Sequence, residues 1–163
     1  MLALLLATTV ATAGEPSGRW VLAEPVDSVQ QRIDEVVDAA AAQFGIFRGF
    51  ARSRLAKGTN WCRAYTFVSD ASKVGWACDD RPPFQVERSD LGSTTPRDFG
   101  DGEIKVTVRW SEQQVFAGFE GRDGGRSQVF AFDGDGGMRC DVSLHSDRLN
   151  APLSWTLRYR LEK

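Results

Sequence analysis

The chain contains a single histidine, so any catalytic mechanism that depends on histidine must use His145. Asp141, Ser143 and Asp147 alternate with it along a predicted strand and share its outer face. A Ser/His/Asp mechanism needs these groups to converge in a pocket, whereas neighbours along one strand lie in a row. The pattern therefore predicts a solvated strand face. We assign no catalytic residue and expect the protein not to be an enzyme.

Two further groups of residues have the chemistry to bind a metal ion. The run from Asp133 to Gly136 is similar to the start of a calcium loop, but Leu144 stands where such a loop needs a bidentate glutamate. A hairpin turn is therefore favoured. The cysteines at 62, 78 and 140 lack C-x-x-C spacing, which favours one disulfide and one free thiol, with the pairing left open. We expect no metal site and no cofactor.

Composition and charge limit the class of protein. With 42% hydrophobic and 26% charged residues, the chain has the composition of an ordinary globular domain with one core. The formal net charge of -2 gives no electrostatic reason to expect nucleic acid or an anionic membrane as a partner. A protein partner stays unknown at this stage.

The first thirteen residues resemble a secretory leader. They form an uncharged apolar run that ends in Ala11-Thr-Ala13, the small residues that precede a signal-peptidase cleavage site. We therefore predict a signal peptide over 1–13, an exported protein that is periplasmic or extracellular, and one domain over 14–163. The run is shorter than the ~20 apolar residues of a membrane helix, so we expect no membrane insertion.

A helix is predicted over about 27–57, because apolar residues there recur at spacings of three and four. Its apolar side comprises Val29, Ile33, Val36, Val37, Ala40, Phe44, Phe47, Ala51 and Leu55. Gly45 and Gly49 lie inside this segment, where glycine destabilises a helix. Two alternatives follow: the helix breaks at the glycines, or the glycines allow close approach to a sheet.

The rest of the chain, about 62–162, predicts strands separated by Gly, Asp, Pro and Ser clusters. The strictest alternation runs from Glu103 to Trp110, with Ile104, Val106, Val108 and Trp110 on one face. The segment 89–102 is predicted to be the longest loop. We expect a mainly β protein with one N-terminal helix and an antiparallel meander of 8 to 9 strands. Such a meander closes into a barrel or a strongly curled sheet, because closure removes exposed edges.

Residues at both ends of the chain carry a resemblance to a known class. Gly18-Arg19-Trp20 is similar to the G-x-W signature of a first lipocalin strand, and Arg158 and Arg160 lie on the last predicted strand. On these residues the chain resembles lipocalin-like, or calycin-like, exported bacterial β-barrel proteins. The resemblance implies a barrel that holds a small apolar ligand, with a terminal-strand arginine packed on Trp20 to plug the closed end. The alternation of the last strand, taken alone, points both arginines outward.

Two functions fit these expectations. The first is an exported, soluble, non-enzymatic protein that binds a small hydrophobic ligand inside the barrel. The inward residues that would line the cavity are Val106, Val108, Phe119, Phe130, Val142, Leu157 and Tyr159. The alternative is a structural or protein-interaction domain with a filled core. A cavity of ~300 Å³ or more bounded by these residues would favour the first, and a filled interior the second. An enzyme that uses carboxylates from the predicted loop is disfavoured, because nothing pairs them with a pocket; they are Asp90, Asp98 and Asp101.

Overall fold

The computed structural model describes residues 14–100 and 102–163. The predicted signal peptide over 1–13 and the loop residue Asp101 lie outside the described residues. The described residues form ten strands: β1 Gly18–Leu22, β2 Ala64–Ser69, β3 Lys73–Cys78, β4 Phe84–Glu87, β5 Thr94–Asp98, β6 Glu103–Trp110, β7 Gln114–Glu120, β8 Gly124–Phe132, β9 Gly137–Ser146 and β10 Leu153–Leu161. All neighbouring strands are antiparallel, so the predicted mainly β meander is confirmed.

The first strand joins the N-terminal and C-terminal strands into one sheet. β1 pairs with β2 on one side and with β10 on the other, so that Trp20 lies opposite both Tyr65 and Leu161. The strand order is therefore β4-β3-β2-β1-β10-β9-β8-β7-β6-β5. The two end strands, β4 and β5, are linked by a side chain, since Arg97 donates to the Gln85 carbonyl over 3.0 Å. The result is a strongly curled sheet with a seam between β4 and β5.

The expectation of 8 to 9 strands was wrong because β5 lies within the segment predicted to be the longest loop. Its sequence, Thr-Thr-Pro-Arg-Asp, is polar and contains Pro96. Proline cannot donate a ladder hydrogen bond and is confined to edge strands, where one side of the backbone is unpaired. β5 pairs only with β6 and is such an edge, so its composition hid a real strand.

The single helix predicted over about 27–57 is two helices, which decides between the two alternatives for the glycines. α1 spans Val26–Ala41, a 3₁₀ segment spans Ala42–Phe47, and α2 spans Arg48–Gly58. The break is at Gly45, whose φ of +53° is accessible to glycine at little cost. α1 buries Val29, Ile33, Val37 and Ala41, whereas α2 buries only Ala51. α2 is therefore held weakly by packing.

A disulfide links Cys62 and Cys78, and Cys140 is free and buried. The bridge forms where the β2–β3 ladder ends at Tyr65 and Cys78. Beyond this point Asp79 adopts a φ of +54°, and its carboxylate accepts hydrogen bonds from the backbone of Arg63 and Ala64. The chain that arrives from α2 is thereby turned towards Cys78. The disulfide ties the end of the helical segment to the barrel.

Candidate functional site

The residues predicted to line a ligand cavity all lie on strands that face the interior. Val106 lies opposite Phe119, Val142 opposite Trp155, and Leu157 opposite Cys140. Phe119 is half-buried, and the other six residues retain only 0–2% of their surface: Val106, Val108, Phe130, Val142, Leu157 and Tyr159. Side chains around an open cavity keep part of their surface accessible to a water-sized sphere. Among the described residues, these six therefore face filled space.

Aromatic rings fill that space. The Phe130 ring lies 4.9 Å from Tyr65, 5.2 Å from Phe67 and 6.0 Å from Trp76, measured between ring centroids. Most of these pairs are edge-to-face, the arrangement that the charge distribution of aromatic rings favours. The rings come from β2, β3 and β8, so they cross the interior rather than line one wall. The structure thus forms a packed aromatic centre where the sequence predicted a ligand cavity.

Polar contacts occur within this centre, although the buried indole nitrogens of Trp110 and Trp155 have no hydrogen-bond partner among the described residues. Gln128 Nε2 donates to the Tyr65 hydroxyl over 3.0 Å, and the Tyr159 hydroxyl donates to the Cys62 carbonyl over 2.8 Å. Burial raises the pKa of both tyrosines above the ordinary value and raises the pKa of the Cys140 thiol to about 12. A thiol with that pKa is protonated at neutral pH and is a poor nucleophile.

The predicted arginine plug is not formed. Arg158 and Arg160 are exposed on the outer face of β10, as the strand alternation indicates, so neither packs on the buried Trp20. Instead Trp20 contacts Phe132 edge-to-face at 5.1 Å, and its indole nitrogen donates to the Ser17 carbonyl over 3.3 Å. An aromatic pair thus closes the end of the barrel opposite the helices.

The outer-face row around His145 is engaged in pairs rather than in a triad. His145 Nε2 lies 3.0 Å from a Glu120 carboxylate oxygen. Asp141 accepts hydrogen bonds from Arg139 and from Thr156. The predicted turn at Asp133 is also present, because its carboxylate accepts the backbone N–H groups of Asp135 and Gly137. No cluster of three or more metal-ligating side chains occurs among residues 14–100 and 102–163.

An apolar pocket lies outside the packed centre, between the 3₁₀ segment and α2 on one side and the β7–β8 and β9–β10 connections on the other. Its volume is about 510 Å³, within the range of small-molecule sites. We call it the helix-tip pocket, and its lining residues are Phe44, Phe47, Phe50, Ala51, Arg54, Leu55, Asp123, Ser146, Arg148 and Leu149. Phe47 and Phe50 are each 66% exposed, so the pocket opens to solvent through its aromatic wall.

Three charged side chains, from three different elements, line the helix-tip pocket. Arg54 lies over the Phe50 ring, 5.1 Å from its centroid, in a cation–π contact. Arg148 belongs to the facing β9–β10 connection, and Asp123 to the β7–β8 turn. Two guanidinium groups and one carboxylate leave a local excess of positive charge. The pocket therefore combines an apolar floor with a cationic rim.

Arg126 of β8 positions α2 above the barrel. Its guanidinium donates to the Gly58 carbonyl over 3.2 Å and to the Asn60 carbonyl over 2.7 Å, and it lies 5.7 Å from the Trp155 ring. Carbonyls at a helix C-terminus have no partner within the helix, so a cation there stabilises the end. This contact and the Cys62–Cys78 disulfide fix the end of α2, whereas its beginning lies next to the Gly45 break.

This arrangement of ten strands and two helices can be compared with solved structures. The fold is similar to that of a fatty acid binding protein. A fatty acid binding protein of Schistosoma mansoni, solved in complex with arachidonic acid, aligns with a TM-score of 0.52 and 17% sequence identity over 90% of this chain and 96% of that chain. The fluorescent protein UnaG aligns over the same shares with a TM-score of 0.47 and 15% identity. No family model and no curated protein match the sequence.

The similarity to a fatty acid binding protein agrees with the predicted antiparallel, strongly curled β-sheet, but sequence reasoning missed the residues that shape the pocket. Phe44, Phe47 and Leu55 were assigned to the buried side of one helix, and the break at Gly45 instead places them around an open pocket. The one available signal was the pair of glycines. Arg126 follows Gly124-Gly125, which resembles a turn, and nothing local indicates its bonds to residues 58 and 60.

Proposed function

We propose that the protein binds a small, largely apolar ligand with an anionic group in the helix-tip pocket. The observation that carries the proposal is an apolar pocket of about 510 Å³ with Arg54 and Arg148 at its rim. Apolar contact with Phe44 and Leu55 supplies affinity, and a guanidinium group orients a carboxylate, sulfonate or phosphate. The protein acts as a binder and not as an enzyme.

The proposed location differs from the sequence-based one. A ligand in the barrel centre would have to displace the rings around Phe130, which already contact one another. The helix-tip pocket needs no such displacement. Fatty acids such as the arachidonic acid bound by the S. mansoni protein combine an apolar chain with a carboxylate, which makes an anionic amphiphile the natural first probe.

The test is a fluorescence titration with dansylated undecanoic acid. We expect saturable binding that weakens in Ala51→Leu, which fills the pocket, and in Arg54→Gln, which removes a rim charge. Ala56→Leu on the exposed side of α2 is the matched control, because it adds the same methyl groups outside the pocket. Binding that Ala51→Leu and Ala56→Leu leave equally unchanged would place the ligand elsewhere.

Export is part of the proposal and is supported by the apolar leader sequence. The mature protein is expected to begin at Gly14 and to act in the periplasm or outside the cell. Intact mass spectrometry of protein secreted by its own host tests this directly. A mass that still includes residues 1–13 in the functional compartment would contradict cleavage.

The packed aromatic centre favours a second candidate, a protein-interaction domain with a filled core. Native mass spectrometry of the purified protein distinguishes the two candidates. A co-purifying mass in the size range of lipids, lost in Ala51→Leu, supports the binder. Protein with no such mass and no affinity for the dansylated probe leaves the interaction domain.

A further inference from the structure

The turn between α1 and α2 exposes large apolar side chains that no part of the described chain covers. Ile46 is 94% exposed, and Phe47 and Phe50 are each 66% exposed. These three residues lie within five positions of one another at the break in the helical segment. Isolated exposed apolar residues are ordinary, but a cluster of this kind marks an interaction surface.

Basic residues predominate in the segment that carries this cluster. No aspartate or glutamate occurs from residue 39 to residue 69, whereas α2 carries Arg48, Arg52, Arg54 and Lys57. Arg52 pairs with Asp38 of α1, which leaves the other three exposed and without an ion pair in the described structure. The net charge of -2, from which we expected no anionic membrane as partner, therefore conceals a local basic surface.

We propose that this tip, Ile46 to Phe50 with the basic side chains of α2, docks on the surface of a lipid bilayer that contains anionic lipids. Apolar side chains at a protruding turn enter the interface between headgroups and acyl chains, and flanking basic residues attract the anionic headgroups. Charge complementarity selects this occupant. A second copy of the same tip would bring like charges together.

Docking of this kind is peripheral. Among the described residues, neither α1 nor α2 is long and apolar enough to cross a membrane. Only the side chains at the helix break would enter the bilayer, while the barrel stays above it. The tip shares Phe47, Phe50 and Arg54 with the helix-tip pocket, but Ile46, Arg48 and Lys57 do not line that pocket, so substitutions at these three positions test docking separately from ligand binding.

The experiment is co-sedimentation of the protein, from Gly14 onward, with two kinds of vesicle. One kind contains phosphatidylcholine alone, and the other contains phosphatidylcholine with about 30% phosphatidylserine. We expect binding to the mixed vesicles that falls as salt is raised. The double variant Arg48→Gln, Lys57→Gln should bind the mixed vesicles about 25-fold more weakly, because the loss of each charge weakens binding about fivefold. Ile46→Ser should weaken it roughly tenfold through lost apolar burial.

Matched controls lie away from the tip. Leu161→Ser removes an exposed apolar side chain at the other end of the barrel, and Arg160→Gln removes an exposed charge from β10. Neither should change vesicle binding. All variants are checked by circular dichroism and by titration with the dansylated probe, so that loss of docking is distinguished from loss of fold or of ligand binding.

Three results would overturn the proposal. The first is absence of binding to either vesicle at low salt. The second is equal binding to both vesicles that is unaffected by the charge substitutions. The third is wild-type vesicle binding in Ile46→Ser. Sedimentation velocity covers the alternative occupant, since a concentration-dependent dimer that Ile46→Ser abolishes would assign the tip to a second copy of the chain.

Discussion

The barrel interior and the helix tip both contain phenylalanine side chains, which are buried in the interior and exposed at the tip. Phe130 is fully buried and contacts three rings, whereas Phe50 is 66% exposed and contacts solvent and Arg54. Strand ladders enclose the interior everywhere except at the β4–β5 seam. In contrast, α2 is held by Arg126 and the nearby disulfide at its end and by the Arg52–Asp38 ion pair to α1. The comparison separates the part of the molecule that stabilises the fold from the part that is available for binding.

The largest expected difference between the two regions comes from truncating one phenylalanine in each. Phe130→Ala removes a fully buried ring and should lower the free energy of unfolding by about 3–5 kcal/mol. Phe50→Ala should change it by less than about 0.5 kcal/mol, because the ring is mostly solvated. Denaturant melts of both variants measure this. Similar losses in the two would show that the tip is part of the folding core.

Loss of the Cys62–Cys78 disulfide tests how the helical segment is attached. The bridge spans 16 residues, so Cys62→Ser with Cys78→Ser should lower the free energy of unfolding by about 3 kcal/mol. Hydrogen exchange should increase most in α2, since this end of the segment is released. Reductant should destabilise the wild type and leave the double variant unchanged. An effect of reductant on that variant would mean that Cys140 contributes.

Alkaline pH should destabilise the barrel interior. Burial raises the pKa of Cys140 to about 12, and the ordinary value for cysteine is near 8.5. The folded state therefore binds its proton more tightly than the unfolded state does. Its stabilising contribution is complete below about pH 8.5 and is lost as pH rises towards 12, by up to about 1.4 kcal/mol per pH unit.

Denaturant melts between pH 8 and pH 11 measure this loss of stability. Above about pH 10 the buried tyrosines add to it, because burial raises the pKa of Tyr65 and of Tyr159 as well. Cys140→Ala should flatten the dependence between pH 8.5 and 10. A wild type whose stability is constant over this range would mean that the interior admits water.

The smallest effect is expected at the helix break. Gly45 has a φ of +53° and open space where a Cβ would stand, so Gly45→Ala meets only backbone strain. We expect a loss of about 1–2 kcal/mol, because a φ of +53° with a ψ of -119° is a backbone conformation that residues with a side chain rarely adopt. Gly49→Ala, inside α2 and equally unobstructed, should instead stabilise the helix slightly. Equal effects of the two would contradict the break.

The sequence predicted the regular part of the fold well and the site poorly, for different physical reasons. Strands such as β6 have one buried and one solvated face, and the alternation of side chains records that directly. The sequence of β5 shows no such alternation, because this edge strand, which contains Pro96, buries few side chains. Periodicity likewise gave a continuous helix, since a backbone break at one glycine leaves the spacing of apolar residues intact.

The helix-tip pocket depends on contacts between distant segments. Phe44 and Leu149 are more than 100 positions apart, and the bonds of Arg126 join β8 to the end of α2. No window of sequence contains such pairs. The filled interior was equally inaccessible, because strand alternation shows which residues point inward and not whether their rings meet. For the predicted arginine plug, the alternation of side chains along the last strand already indicated that Arg158 and Arg160 point outward.

The pairing of Trp20 with Leu161 has a consequence for how the chain reaches this structure. The first strand completes its ladder only when the last strand arrives, so the contact joins residues separated by nearly the whole chain. Folding slows as the mean sequence separation of contacts grows, because closing a long loop costs entropy before the contacts form. During synthesis, β1 leaves the ribosome long before β10, so the edge of β1 that pairs with β10 stays unpaired until the last strand is made. Barrel closure should therefore be a late step, and a chain that ends before Leu153 would expose both the edge and the aromatic centre to aggregation.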